Sequence, residues 1–263
     1  MKLKLSSEVV AIEVPDSPGP RSHIVFSLQT GETIQLDSML WQDLITGNFS
    51  SLTAAEQLDL AAARIVLPED AVETCSDSDA SIEGFVDRQY EFLENLVDGY
   101  VQIRKELEGL GEDAFGPVPE SKQPGWGAFP LHYLGTRNDR NCAATPYTAE
   151  VVESIPYMTT ACFAALQPHR PYGLHRDKYP EHFLNFLNVR WNANIRSLRR
   201  LQFPIIADKG SYLIVGREAR MLTEGSPIVF DNRNLHAAYN GGERNRLVLV
   251  IDFLDSVHLH RAN

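Results

Sequence analysis

The chain has 263 residues, 43% of them hydrophobic, enough for one large globular domain with or without a small companion. Its formal net charge of −11 is uneven: residues 1–115 hold 7 Lys+Arg against 22 Asp+Glu, residues 116–263 hold 17 against 13. The acidic first part argues against nucleic acid as a partner, and no apolar run reaches the roughly 18 residues a membrane-crossing helix needs.

The N-terminus, Met1 to Ser7, alternates polar and apolar residues and reads as a strand, not a signal peptide. Cys75, Cys142 and Cys162 are odd in number and lack metal spacing. A cytoplasmic protein with packing cysteines is the expectation. The sequence leaves the oligomeric state open.

Residues 1–75 read as a small α/β domain. Glu8–Val14 is a strand that stops at Pro15, and Pro15–Pro20 is a loop. Residues 23–28 and 33–36 flank Thr30-Gly31-Glu32 as a hairpin. Asp37 or Ser38 caps a short helix that Gly47 ends, and Thr53-Ala54-Ala55-Glu56 is a capping box for a helix to about Val66. Three strands followed by helices is similar to small winged-helix domains that bind a leader segment by adding it to a sheet edge. A ribosomal precursor peptide bound through residues 1–75 is therefore one expected partner, a plain structural domain the other.

Residues 76–115 read as a linker and a long helix. Phe85, Phe92, Leu93, Leu96, Tyr100 and Ile103 recur at threes and fours, a core-packing stripe. Ser76-Asp77-Ser78-Asp79 is a polar cap, not a Ca²⁺ loop, because the required Gly and distal Glu are missing. Residues 116–256 open with a Pro/Gly-rich stretch. Short apolar runs broken by turns follow at 162–166, 203–207, 212–215, 228–230 and 247–253. That pattern predicts a β-sandwich or barrel, with a double-stranded β-helix (jelly roll) as the natural host of the site below. The whole is thus α+β. Residues 257–263, with His258 and His260, form a polar tail.

The chemistry concentrates in His175-Arg176-Asp177, His236 and Arg246. Residues two apart on an extended segment project to one face, so His175 and Asp177 offer an imidazole and a carboxylate together. With His236 they make two His and one carboxylate, the facial triad of non-haem Fe(II) oxygenases. Asn240-Gly241-Gly242-Glu243 reads as a hairpin turn, which would place His236 opposite Arg246 on one face. Arg246 is a permanent cation suited to a small anionic cosubstrate, and Arg244 has the same parity and competes with it. Asp231 is either a partner of a ligand His or a turn residue. No P-loop, nucleophile elbow or dinucleotide fingerprint is present.

Several pieces in order carry a resemblance. They are Gly125-Trp126-Gly127-Ala128-Phe129, the stretch Gly135 to Cys142, Ile155-Pro156, and Arg200-Leu201-Gln202-Phe203-Pro204, which is similar to an R-x-H-x-P/G element. Glu224 to Asp231 is similar to E-G-x-x-x-x-F-D before a distal His, and the His236-to-Arg246 spacing matches too. Residues 125–256 thereby resemble the aspartyl/asparaginyl β-hydroxylase family of 2-oxoglutarate-dependent oxygenases.

The resemblance implies a jelly roll using Fe(II), 2-oxoglutarate and O₂. His175 and His236 become iron ligands, and Arg246 grips the cosubstrate's distal carboxylate. Arg200 becomes a second cosubstrate contact, and Gln202 stands where the family often has His. The best-known vertebrate members lack the ligand carboxylate that Asp177 supplies here. With that carboxylate in place no position is left for a halide, so hydroxylation is expected over halogenation. The expected substrate is an amino-acid side chain, within a peptide or as a free amino acid. A non-catalytic cupin-like metal-binding protein is the rival. The Asn/Arg-rich segment 182–200 is expected to lie over the active-site mouth or to be a surface insertion.

Overall fold

The computed structural model describes residues 3–6, 9–14, 22–27, 30, 32–71, 84–116, 125–177 and 179–255. Its first elements are β1 (Leu3–Leu5), β2 (Val9–Val14), β3 (Ser22–Ser27), β4 (Thr33–Asp37), α1 (Ser38–Thr46), α2 (Ala54–Ala62) and β5 (Val66–Pro68). The local signals act as expected. The Asp37 carboxylate accepts from Leu40 N at 2.7 Å, and Gly47 closes α1 in the left-handed region at φ 76°. Thr53 and Glu56 form the reciprocal capping box of α2. That helix stops short of Val66 because Arg64 turns left-handed (φ 55°) and sends the chain into β5, which pairs antiparallel with β1.

β2, β3 and β4 form an antiparallel sheet whose two faces sort by period two. Val25, Leu36, Val9 and Ala11 pack under α1 and α2 with Leu44, Leu60 and Ile65. Val10, Ile12, Ile24 and Phe26 pack instead against Ile214, Ala237 and Tyr239 of the following region. The small sheet is thus a brace laid on the larger fold. Phe26 is fully buried in that seam. Phe26→Ala should cost about 3–5 kcal/mol in urea unfolding. A loss below about 1 kcal/mol would mean the seam contributes little.

Next come α3 (Phe92–Asp98) and α4 (Tyr100–Glu108). The helix begins later than the apolar stripe suggests. Phe85 lies on extended chain, bridged to Phe230, and Val86 N donates to Val229 O at 2.8 Å. Pairing at a sheet edge wins over helix there, and the spacing of Phe85 from Phe92 matched a helical period by coincidence. Leu96, Ile103 and Leu107 do pack into the main core beside Phe163, Phe203 and Ile251. The stretches 76–79, 117–124 and 257–263 lie outside the described residues, as does the loop at 15–20.

The remaining elements are β6 (Trp126–Tyr133), β7 (Thr136–Arg137), α5 (Asp139–Ala144), α6 (Pro146–Glu153), β8 (Met158–Leu166), β9 (Arg170–His175), α7 (Glu181–Trp191), β10 (Leu198–Ile206), β11 (Ser211–Val215), β12 (Glu218–Met221), β13 (Ile228–Phe230), β14 (His236–Asn240) and β15 (Arg246–Leu254). They build two antiparallel sheets, ordered β13-β10-β15-β8-β6-β7 and β12-β11-β14-β9. From β8 onward the chain passes back and forth between them, apart from the β11–β12 hairpin. That winding is a double-stranded β-helix, as expected, within an α+β whole. Ala164, Phe230 and Val248 of one sheet meet Leu213 and Val215 of the other in the space between.

One expectation fails here. β14 and β15 are not a hairpin: β14 lies between β11 and β9, and β15 between β10 and β8. The turn carries the chain from one sheet to the other. Asn240 holds it, donating to Leu166 O and Arg244 O at 2.8 Å each, and a Cβ at Gly242 would come within 2.3 Å of Asp208 Cβ. The local turn signal was sound, but both strands already had partners on each side. Among the described residues no helix is long and apolar enough to cross a membrane.

Candidate active site

β9 and β14 are neighbours, and their register sets His175 directly across from His236, with ring centroids 4.3 Å apart. Each Nδ1 lies at hydrogen-bond distance from the carbonyl two residues back, His175 to Gly173 O at 2.8 Å and His236 to Asn234 O at 2.9 Å. A ring that donates from Nδ1 leaves Nε2 with a lone pair, the form that binds a metal. Both Nε2 atoms turn toward Asp177 Oδ1, at 3.5 Å and 3.8 Å. The three ligand atoms lie within 4.8 Å of one another. Two imidazoles and one carboxylate suit Fe(II), so the donor set fits the metal that the spacing suggested.

The electrostatics agree. Burial opposes the Asp177 charge, but the Arg200 guanidinium beside it outweighs that cost and holds the carboxyl well below the usual range. Burial pushes His236 down to about 4. An unfolded His titrates near 6.5. Above that pH both states are neutral at this site. As pH falls from 6.5 to 4, the unfolded chain takes up a proton that the folded one refuses. Stability of the metal-free protein should therefore drop across that window, by about 3 kcal/mol from this group. Denaturant unfolding at pH 7 and pH 4.5 checks it. His236→Gln should flatten the dependence, and an equal slope in that variant would rule the assignment out.

The other sheet supplies the floor. Along β15, Arg246, Val248, Val250 and Asp252 share a face by period two. Arg200 and Gln202 of β10 stand opposite Asp252 and Val250, and Thr160 and Cys162 of β8 flank them on the other side. All of these but Val248, which packs in the core, line an inner cavity of about 200 Å³ together with His175, Asp177 and His236. It continues into an outer cavity of about 680 Å³ rimmed by Tyr133, Tyr179 and Phe183.

Arg246 reaches this cavity from the opposite sheet, not as the cross-strand neighbour of His236. It is 3% exposed, its Nε and Nη1 have no hydrogen-bond partner, and it has no carboxylate partner among the described residues. Burial alone lowers it to about 10, so it stays charged at neutral pH. A buried, unpaired guanidinium is costly, and an anion is its natural complement. Gln202 Oε1, Thr160 Oγ1 and His236 Nε2 are likewise buried without partners around the same cavity. Arg244 is excluded as a competitor: it is exposed and pairs with Asp208.

Arg200 Nε and Nη2 lie 2.7 Å and 2.8 Å from the two Asp252 oxygens, and its Nη1 lies 2.7 Å from Asp177 Oδ2. Its charge is shared between two carboxylates, so it holds Asp177 in place, and it also lines the inner cavity in which a cosubstrate would sit. Asp231 takes the turn role: it accepts from Arg233 N at 3.0 Å and touches no ligand His. From the segment 182–200, only His182, Phe183 and Arg200 line the outer cavity.

Sequence reasoning missed Asp252, Thr160, Tyr172 and Tyr179. Asp252 had a signal, an acid in an otherwise apolar strand at even spacing from Arg246. The cavity cysteine, Cys162, is pushed up to about 12 by burial and is an inert thiol. A second group, His132, Cys142 and Glu153, also brings ligand-type atoms together. There the Cys142 thiol donates to Leu131 O and burial raises its pKa, while Arg137 bonds Glu153, so those donors are already engaged.

A family model described as aspartyl/asparaginyl β-hydroxylase matches residues 98–256. An ornithine lipid ester-linked acyl 2-hydroxylase of Rhizobium tropici is 30% identical over 129 residues, which is 49% of this chain and 41% of the relative. The chain thus spans less than half the length of that curated relative. Among solved structures, AviO1 of Streptomyces viridochromogenes Tue57 is similar at 16% identity and a TM-score of 0.35, over 70% of this chain and 97% of that one. A predicted oxalate decarboxylase of Thermotoga maritima is similar at 11% identity and a TM-score of 0.32, over 55% and 97%.

Proposed function

The chain belongs to the aspartyl/asparaginyl β-hydroxylase family, and from that premise we propose that it is an Fe(II)- and 2-oxoglutarate-dependent hydroxylase of an unactivated C–H bond. The observation that carries this reading is Arg246, a buried cation with no carboxylate partner among the described residues, in the cavity that also holds His175, Asp177 and His236. A metal-binding protein without turnover has no need of that cation.

Bound together, Fe(II) and 2-oxoglutarate activate O₂ and supply the oxidising power for C–H hydroxylation. His175, Asp177 and His236 would hold the metal. Arg246 would grip the distal carboxylate of the keto acid, and Gln202 and Thr160 would offer it hydrogen bonds. Gly173 O and Asn234 O keep the imidazoles turned with Nε2 inward. Trp126 and Tyr172, ring centroids 5.2 Å apart, wall the cavity beside His175 and keep bulk water off. The outer cavity admits the substrate.

For the substrate, one reading is an amino-acid side chain within a peptide, with an edge strand of the β2-β3-β4 sheet as the site for strand addition. The acyl 2-hydroxylase relative favours a second: the carbon next to the carbonyl of a fatty-acyl ester. The aromatic rim of Tyr133, Tyr179 and Phe183 suits either. Amino acids, peptides and acyl lipids should be screened together for substrate-dependent succinate release and a gain of one oxygen by mass spectrometry. Turnover confined to one class decides the substrate, and no succinate with any class would favour the non-catalytic alternative.

A further inference from the structure

We infer that Asp252 is a positioning residue: through Arg200 it fixes Asp177 as a one-oxygen metal ligand. This rests on the metal-binding reading above. Asp252 and Arg200 are directly opposed in the β10–β15 register. Asp252 occupies the Nε/Nη2 edge of the guanidinium with both oxygens, at 2.7 Å and 2.8 Å. A planar guanidinium so gripped cannot rotate. Its Nη1 therefore points one way only, to Asp177 Oδ2 at 2.7 Å.

The consequence is a division of labour within one carboxylate. Oδ2 is held by Arg200, with Asn232 Nδ2 at 3.4 Å and Tyr179 Oη at 3.5 Å. Oδ1 is turned to the two imidazoles. Asp252 acts in two ways at once. It pins the cation so that Arg200 cannot swing to take both Asp177 oxygens. It also adds a second negative charge beside the cation, so Asp177, Asp252 and Arg200 together face a divalent metal with a net charge of −1 instead of zero. Losing Asp252 weakens the site on both counts. Arg200 also marks the third ligand position as a place for an anion, which a small external carboxylate could fill if Asp177 were shortened.

The experiment is an anaerobic Co(II) titration followed by visible absorption, with thermal melting to confirm folding. Asp252→Asn should weaken Co(II) binding ~10–100-fold, the usual loss when a partner of a metal ligand is removed. Its d–d band should also change shape as the carboxylate adopts a different mode. A role in stability alone would lower the melting temperature and leave both readouts of the folded protein unchanged. A folded Asp252→Asn with wild-type affinity and band overturns the proposal. Where that variant does not fold, Asp177→Ala decides. Added formate should tighten its Co(II) binding saturably, and the double change Asp177→Ala with Arg200→Gln should abolish the effect. No formate effect in Asp177→Ala contradicts the clamp. If instead wild type and His236→Ala bind Co(II) alike, the metal assignment itself fails.

Discussion

Arg246→Met should remove 2-oxoglutarate-dependent turnover and, at the same time, make the cosubstrate-free protein more stable. The two effects have one cause. Arg246 is buried, charged and without a hydrogen-bond partner at Nε and Nη1. Replacing a buried unpaired charge with an apolar side chain of similar length relieves its desolvation cost, and a gain of about 1–4 kcal/mol is in line with such exchanges. Once the keto acid is present the balance reverses. The truncated site leaves a buried carboxylate facing a thioether, a loss of about 2–5 kcal/mol in binding. That is roughly 30- to 5,000-fold in Kd. Thermal melting without 2-oxoglutarate and a cosubstrate titration measure the two halves. A structural arginine would show the opposite sign in the first and nothing in the second.

His236→Ala should abolish activity by removing the metal. His236 sits on a central strand of its sheet, directly opposite His175, with a buried Nε2 that no other group satisfies. Loss of a ligand exceeds the loss of a ligand's partner, so metal affinity should fall by more than ~100-fold. The variant should still fold, since shortening a buried imidazole that makes one hydrogen bond through Nδ1 costs far less than the fold supplies. Retained Fe(II) affinity in folded His236→Ala would transfer the metal site elsewhere, and the His132, Cys142 and Glu153 group would be the first place to look.

The jelly roll was legible in the sequence because its signals are local. Short β-rich runs, turn residues and caps each name their own element: the runs at 162–166 and 247–253 lie within β8 and β15, and 203–206 within β10. What was not legible is which strand pairs with which. The turn at Asn240 to Glu243 has every residue a hairpin wants, yet Asn240 and the fit of Gly242 against Asp208 make it a crossing between sheets. The sequence therefore placed Arg246 in the right cavity by the wrong route, and it missed that His236 faces His175. The partners of Arg200 were hidden for a related reason: its matched motif names the cation, but not Asp252 and Asp177, which strand pairing and the turn after β9 bring to it. The brace formed by the β2-β3-β4 sheet was likewise hidden, because the apolar face of a strand does not say what it will cover.

The measurement that bears most directly on the account is the visible absorption of the protein with Fe(II) and 2-oxoglutarate in the absence of oxygen. Wild type should show a weak charge-transfer band, absent in His236→Ala and His175→Ala, and recovered in Arg246→Met only at far higher 2-oxoglutarate. No band in folded wild type, or one of equal strength and affinity in all four proteins, would contradict it.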